Sequence, residues 1–358
     1  MEIENRKKEH ILISIEEDVE YDIGTLLDGV QLVHNPVPEI DLGDVELETD
    51  FLGHELSAPV IIAGMTGGHP LAKKLNSWIA EAVEELGLGM GVGSQRAGLE
   101  NPELEETYSI VREKAPTAFV MGNIGASQVV QEIGEEDVER LVEMVEADAI
   151  AVHLNPLQEA VQVEGEPRYK GLLERLREFA NACPVPVVAK ETGAGMPKEA
   201  VAKLEAVGVR AIDVGGAGGT SFSKVEYFRA KSCGDLLKAE LSKCFANWGI
   251  PTALSIIEAR SVTDLPVIAT GGIRSGLEAA KALRLGADLV GIALPVMRVA
   301  YREGLEGIKK LLKEFIEELR IALFLTGSRN VRELRERPVV LSRDIVWWIE
   351  QRGIEWRP

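Results

Sequence analysis

The chain has 358 residues, is 46% hydrophobic and carries a formal net charge of −19. That length supports one large α/β domain with additions, and the acidic balance argues against nucleic acid as a partner. No apolar run reaches the about 18 residues of a membrane span. The polar, basic start is not a signal peptide, and Cys183, Cys233 and Cys244 lack metal-ligand spacing. A soluble chain in the reducing cytoplasm is therefore expected.

Residues 1–56 are polar and mixed. Their composition alone reads as a solvated arm, followed over 27–56 by a small hairpin or meander that closes the bottom of the domain. Regular alternation begins at Pro59. Short, largely apolar runs are read as strands at 60–63, 89–92, 118–121, 149–152, 186–189, 211–214, 266–270 and 288–294. Helical spacing of apolar residues separates many of them, as in Leu71, Leu75, Ile79 and Val83. After the seventh strand, Ser275-Gly276 opens a helix whose apolar positions are Leu277, Ala280, Leu283 and Leu285. Continuous apolar runs suit parallel strands covered on both faces, and eight βα units suit a (β/α)8 TIM barrel. The expected division is an N-terminal arm and cap over 1–56, the barrel over 57–303, and a C-terminal helical extension over 304–358. A lid-like loop is expected at 219–246.

In such a barrel all strand tips meet at one mouth. Thr66, Ser94, Asn123, His153, Asn155, Lys190, Thr220 and Arg274 would then be neighbours. Lys190 ends an apolar run, so its ammonium needs the mouth or an anion. Gly64-Met65-Thr66-Gly67-Gly68 offers backbone with little side chain, suited to a planar ring. Gly215-Gly216-Ala217-Gly218-Gly219-Thr220 and Gly271-Gly272 are read as two turns that approach one phosphate closely. A ring pocket, a lysine and a phosphate seat together suggest flavin mononucleotide, FMN. Glu159 is a hard oxygen ligand suited to Mg²⁺. Gln158 cannot titrate near neutrality but can orient or relay.

Several segments in this order resemble the type 2, FMN-dependent isopentenyl-diphosphate Δ-isomerases. They are Arg6-Lys7-Lys8-Glu9-His10, Met65-Thr66-Gly67-Gly68, Gly93-Ser94-Gln95-Arg96, Gly122-Asn123-Ile124-Gly125, His153-Leu154-Asn155-Pro156-Leu157-Gln158-Glu159, Lys190-Glu191, the glycine run to Thr220, and Thr270-Gly271-Gly272-Ile273-Arg274.

The resemblance implies that Arg6, Lys7, His10, Ser94, Gln95, Arg96 and Gln158 bind a diphosphate substrate. Gln158, His153 and Asn155 would be catalytic. Gly64, Met65, Thr66, Ser94, Asn123, Lys190, Thr220, Gly271, Gly272, Arg274, Ala293 and Leu294 would surround FMN, and Glu159 would hold Mg²⁺. It also implies reduced flavin, NAD(P)H as reductant, a homo-oligomer (a tetramer or octamer), and an N-terminal arm folded over the active site of its own or a neighbouring subunit. The competing reading is an FMN-dependent oxidoreductase on the same barrel, such as a 2-hydroxy-acid oxidase. That chemistry wants a histidine on a late strand loop, and no histidine follows His153.

Overall fold

The structure, a computed structural model, describes residues 2–131 and 133–356. Eight parallel strands close into a barrel. In chain order they are Val60–Ile62, Gly89–Gly91, Phe119–Gly125, Ala149–Leu154, Val187–Glu191, Ala211–Asp213, Val267–Thr270 and Leu289–Ile292. Each pairs with the next, and the ring closes where Val290 meets Val60. The third and fourth strands run further than their apolar cores, remaining paired to Gly125 and His153. Their polar tips are thus carried on strand backbone, which fixes them more firmly than a loop would.

Below their polar tips the barrel strands are apolar on both faces because both are covered. One set of side chains fills the interior, among them Phe119, Met121, Val188, Ile268 and Leu289. A hairpin of Thr49–Phe51 and His54–Leu56 covers the bottom, with Phe51 edge-on to Phe119 at 5.3 Å between ring centroids. The rest of 27–56 does not join that hairpin. Val30–Leu32 pairs antiparallel with Val339–Leu341 instead, tying the early chain to the late chain.

One expectation needs correction. Residues 219–246 are not a loop: they form two packed helices, Phe222–Cys233 and Leu236–Cys244. Ser221 caps the first through the Lys224 amide, and Ser223 bonds across to Ser242 O at 2.7 Å. The first helix buries Ser223, Glu226 and Arg229 beside Val225 and Ala230, so no apolar period marks it. The helix Gly276–Arg284 packs through Ala279, Ala280, Ala282 and Leu283, with apolar Leu277 about half exposed.

The chain's opening is helical over Glu2–Glu16 and lies against the mouth of its own barrel. The last strand leads into a helix over Leu294–Thr326 that breaks at Gly304, where φ is 67°.

Candidate active site

The barrel mouth opens into one large cleft between the strand tips and the N-terminal helix. All the site residues expected from the sequence line it except Gln95. Gln95 is fully buried, donates to Leu141 O at 2.9 Å and accepts the Asn123 amide at 2.8 Å. It joins the second and third strand tips and does not line the cleft.

The cationic end of the cleft lies under the N-terminal helix. Lys7 Nζ donates to Ser94 O at 3.3 Å, and the same carbonyl accepts the Tyr108 hydroxyl at 2.7 Å. Burial and then the charges of Arg6 and Arg96 pull Lys7 down to about 8. Arg6 stands 3.8 Å from Glu164, and Arg96 stands 2.7 Å from Glu100 and 3.7 Å from Glu166. Three crowded cations, of which only Arg96 has a close acidic partner, make a seat for a multiply charged anion.

The side wall comes from the fourth strand and the short helix Pro156–Val161. His153 Nδ1 lies 2.8 Å from Asn123 Oδ1. Burial, with Lys7 and Lys190 nearby, pulls His153 down to about 3, so the imidazole is neutral. Asn155 Nδ2 donates to Gln158 Oε1 at 3.2 Å and Glu159 Oε1 at 3.0 Å, while its oxygen accepts the Tyr169 hydroxyl at 3.0 Å. Glu159 Oε2 takes the Glu166 amide at 2.7 Å.

Gln158 also donates to Glu226 Oε1 at 3.0 Å. Glu226 comes from the helical insertion and is fully buried. Burial raises its pKa, but His10, Arg229 and Gln158 outweigh that and hold it at about 2. Arg229 in turn grips Glu164 at 2.6 Å and Glu9 at 3.2 Å. Sequence reasoning missed Glu226 and Arg229. The only available signal was their presence in a segment too long for a turn.

The floor is a chain of polar contacts over three strands. Lys190 Nζ stands 2.7 Å from Asp213 Oδ2, and the Thr270 hydroxyl donates to Asp213 Oδ1. Asp213 interrupts the apolar run 211–214, which already demanded a partner. Beside it, Glu191 Oε2 accepts the amides of Gly193, Ala194 and Gly195. Burial still pushes Glu191 up to about 7 against those amides and Lys190.

The glycine turns after strands six and seven pack on one another. A Cβ on Gly219 would lie 2.4 Å from the Gly272 nitrogen, and one on Gly271 would lie 2.0 Å from Gly216 O. Turn-on-turn packing therefore demands these glycines; close approach of a ligand is not their only cause. Among the described residues, the backbone N–H groups of Gly219, Thr220 and Gly272 find no protein acceptor. Such converging, unpaired amides suit a phosphate. Gly64 likewise serves packing, since a Cβ there would lie 2.2 Å from Val92 O.

A barrel with a phosphate-type seat between its sixth and seventh tips has the form of the flavin-dependent barrel enzymes. Residues 154–341 match the family model described as FMN-dependent dehydrogenase. Among solved structures, a Pediococcus acidilactici lactate oxidase superposes with a TM-score of 0.68 at 16% identity, covering 96% of this chain and 94% of that one. A mandelate oxidase variant with an FMN adduct gives 0.62 at 19%, covering 93% and 92%. At those identities the likeness concerns the fold.

Sequence relatives are far more similar. The isopentenyl-diphosphate delta-isomerase of Ignicoccus hospitalis is 49% identical over 99% of both chains. That of Archaeoglobus fulgidus is 48% identical over 99% of this chain and all of its own, at 100%. That of Methanothermobacter thermautotrophicus is 47% identical over 99% and 97%. The chain belongs to the isopentenyl-diphosphate delta-isomerase family.

Proposed function

We propose that this protein interconverts isopentenyl diphosphate and dimethylallyl diphosphate by a 1,3-allylic proton shift, with reduced FMN and Mg²⁺. The observation that carries this reading is one cleft with two separate anion seats. One is built from unpaired amides near Arg274; the other is built from Arg6, Lys7 and Arg96. A 2-hydroxy-acid oxidase would need a seat for a single carboxylate and a histidine base, and the late strand tips carry no histidine.

FMN fits this cleft on two grounds: the orphan amides for its phosphate and the buried Lys190 among the glycine-rich strand tips that line the mouth. Gly64, Met65, Thr66, Ser94, Asn123, Lys190, Thr220, Gly271, Gly272, Arg274, Ala293 and Leu294 would hold it. Bound in reduced form, FMN supplies an electron-rich ring able to stabilise positive charge and exchange protons. Glu159 would hold Mg²⁺, its carboxylate lining the cleft from the same short helix as Gln158. A hard cation held by one carboxylate and the substrate's own phosphates suits that arrangement, and it would neutralise part of the diphosphate charge.

The remaining roles belong to this chain. Arg6, Lys7, His10, Ser94 and Arg96 hold the diphosphate. Gln158, fixed by Asn155 and Glu226, presents an amide that orients the alkene or passes a proton without ionising. His153 and Asn155 keep that wall uncharged except at Glu159, so a developing tertiary cation meets no competing positive imidazolium. A nicotinamide nucleotide serves as reductant, and the protein works in the cytoplasm as a homo-oligomer. No helix of the described residues is long and apolar enough to cross a membrane.

Turnover in D₂O tests the reading. With reduced FMN and Mg²⁺, isopentenyl diphosphate should yield dimethylallyl diphosphate carrying solvent deuterium. Formation of no isomer, with a 2-hydroxy acid oxidised instead, would contradict it.

A further inference from the structure

The segment between the N-terminal helix and the first hairpin carries a carboxylate that the reaction does not use. Glu20 Oε1 accepts from Arg274 through Nε at 3.2 Å and through the terminal nitrogen. Its other oxygen accepts from Arg298 at 3.1 Å. Burial raises the Glu20 pKa, but the two arginines outweigh that and hold it below the usual carboxylate range.

The backbone around Glu20 straps the glycine turns. The Tyr21 amide donates to Gly219 O, and the Ser221 amide donates to Val19 O, each at 2.8 Å. Thr25 fills the space beside Gly218 and Gly272, where added Cβ atoms would lie 2.6 and 2.4 Å from it. Arg298 reaches back to Glu17 O at 3.3 Å, just beyond the helix that bears Arg6, Lys7 and His10. Its Nε is buried without a hydrogen-bond partner among the described residues, and both its contacts to this segment are made by the terminal nitrogens.

We infer that Glu20 is a positioning residue linking the cofactor's phosphate seat to the N-terminal helix. The inference rests on the flavin reading of the cleft. A phosphate that takes up the free amides orders the two turns, and the turns carry the strap through Gly219 O and Thr25. Glu20 transmits that order to the helix by holding Arg274 on one side and Arg298 on the other. Ordering shared by two sites makes them cooperate without further contact, and the linkage is reciprocal.

Hydrogen exchange of the backbone amides in residues 6–16 tests this, with oxidised flavin and no substrate. In the wild-type apoprotein, FMN should slow their exchange about fivefold. Riboflavin, which lacks the phosphate, should leave them at the apoprotein rate at equal occupancy. In Glu20→Gln, FMN should bind but slow the helix no more than riboflavin does. A purely structural role for Glu20 would shift both flavin states together and keep their ratio, which would overturn the inference. Equal slowing by FMN and riboflavin in the wild type would overturn it too, and that contrast decides if the variant fails to load flavin. FMN binding without slowing sinks this inference alone. Failure of the wild type to bind FMN sinks it together with the flavin reading.

Discussion

Gln158 Nε2 meets Glu226 Oε1 at 3.0 Å, and the same oxygen receives His10 Nε2 at 2.9 Å. One buried carboxylate thus joins the side wall, the helical insertion and the N-terminal helix. Glu226→Gln should lower kcat about 10²-fold, the lower end of what a positioned proton-handling group contributes, with a smaller change in KM. It should also cost about 3 kcal/mol of stability, because Arg229 loses a buried partner. Steady-state kinetics and denaturant melts separate the two effects.

Lys190 and Asp213 are both buried and stand 2.7 Å apart. Lys190→Met leaves the Asp213 charge with only the Thr270 hydroxyl and the Gly215 amide and should destabilise the apoprotein by about 3–5 kcal/mol. The double variant Lys190→Met, Asp213→Asn should recover most of that stability but not the flavin affinity. Urea denaturation and flavin titration provide the two readouts.

The cation cluster predicts a pH effect. Lys7 sits at about 8 in the folded protein, below its ordinary 10.5. Above pH 8 the folded protein loses this proton while the unfolded chain keeps it. Stability therefore rises between pH 8 and 10.5 on account of Lys7, whereas diphosphate affinity falls. The substrate KM should climb about tenfold per pH unit above 8. Lys7→Arg, always charged, should flatten that climb.

The glycine turns predict a sharp local intolerance. Gly272 has φ of 74°, and its Cβ would lie 2.4 Å from Gly218 O. Gly272→Ala should cost at least about 1–2 kcal/mol from the backbone conformation alone, and the turn must shift. Flavin content of the purified variant should fall well below that of Gly43→Ala, where an added Cβ meets nothing.

Much of this site was legible because its chemistry sits on strand tips. An apolar run ending in Lys190 or Asn123 marks both the strand and the position of the polar group. Gln95 misled because a motif position says nothing about side-chain direction, and here the side chain turns inward to satisfy Asn123 N and Leu141 O. Glu226 and Arg229 were hidden for the opposite reason. Their helix buries charges that pair across elements far apart in sequence, so it lacks the apolar stripe that reveals a helix. The helical N-terminus could not be read from composition, since its polar residues are satisfied by the cleft and by Glu164 and Glu226.

Arg96→Ala and Gln95→Ala should therefore diverge. The first should raise the substrate KM more than tenfold with little loss of stability. The second should leave buried groups unsatisfied, costing about 1–3 kcal/mol, with KM little changed. Parallel kinetics and thermal melts make the comparison.

The most direct test is an anaerobic isomerisation assay on purified protein in which FMN, Mg²⁺ and reductant are each withheld in turn. Full turnover of isopentenyl diphosphate with all three, and its collapse when any one is missing, is the expected pattern. Turnover undiminished with the flavin removed or left oxidised would contradict the account.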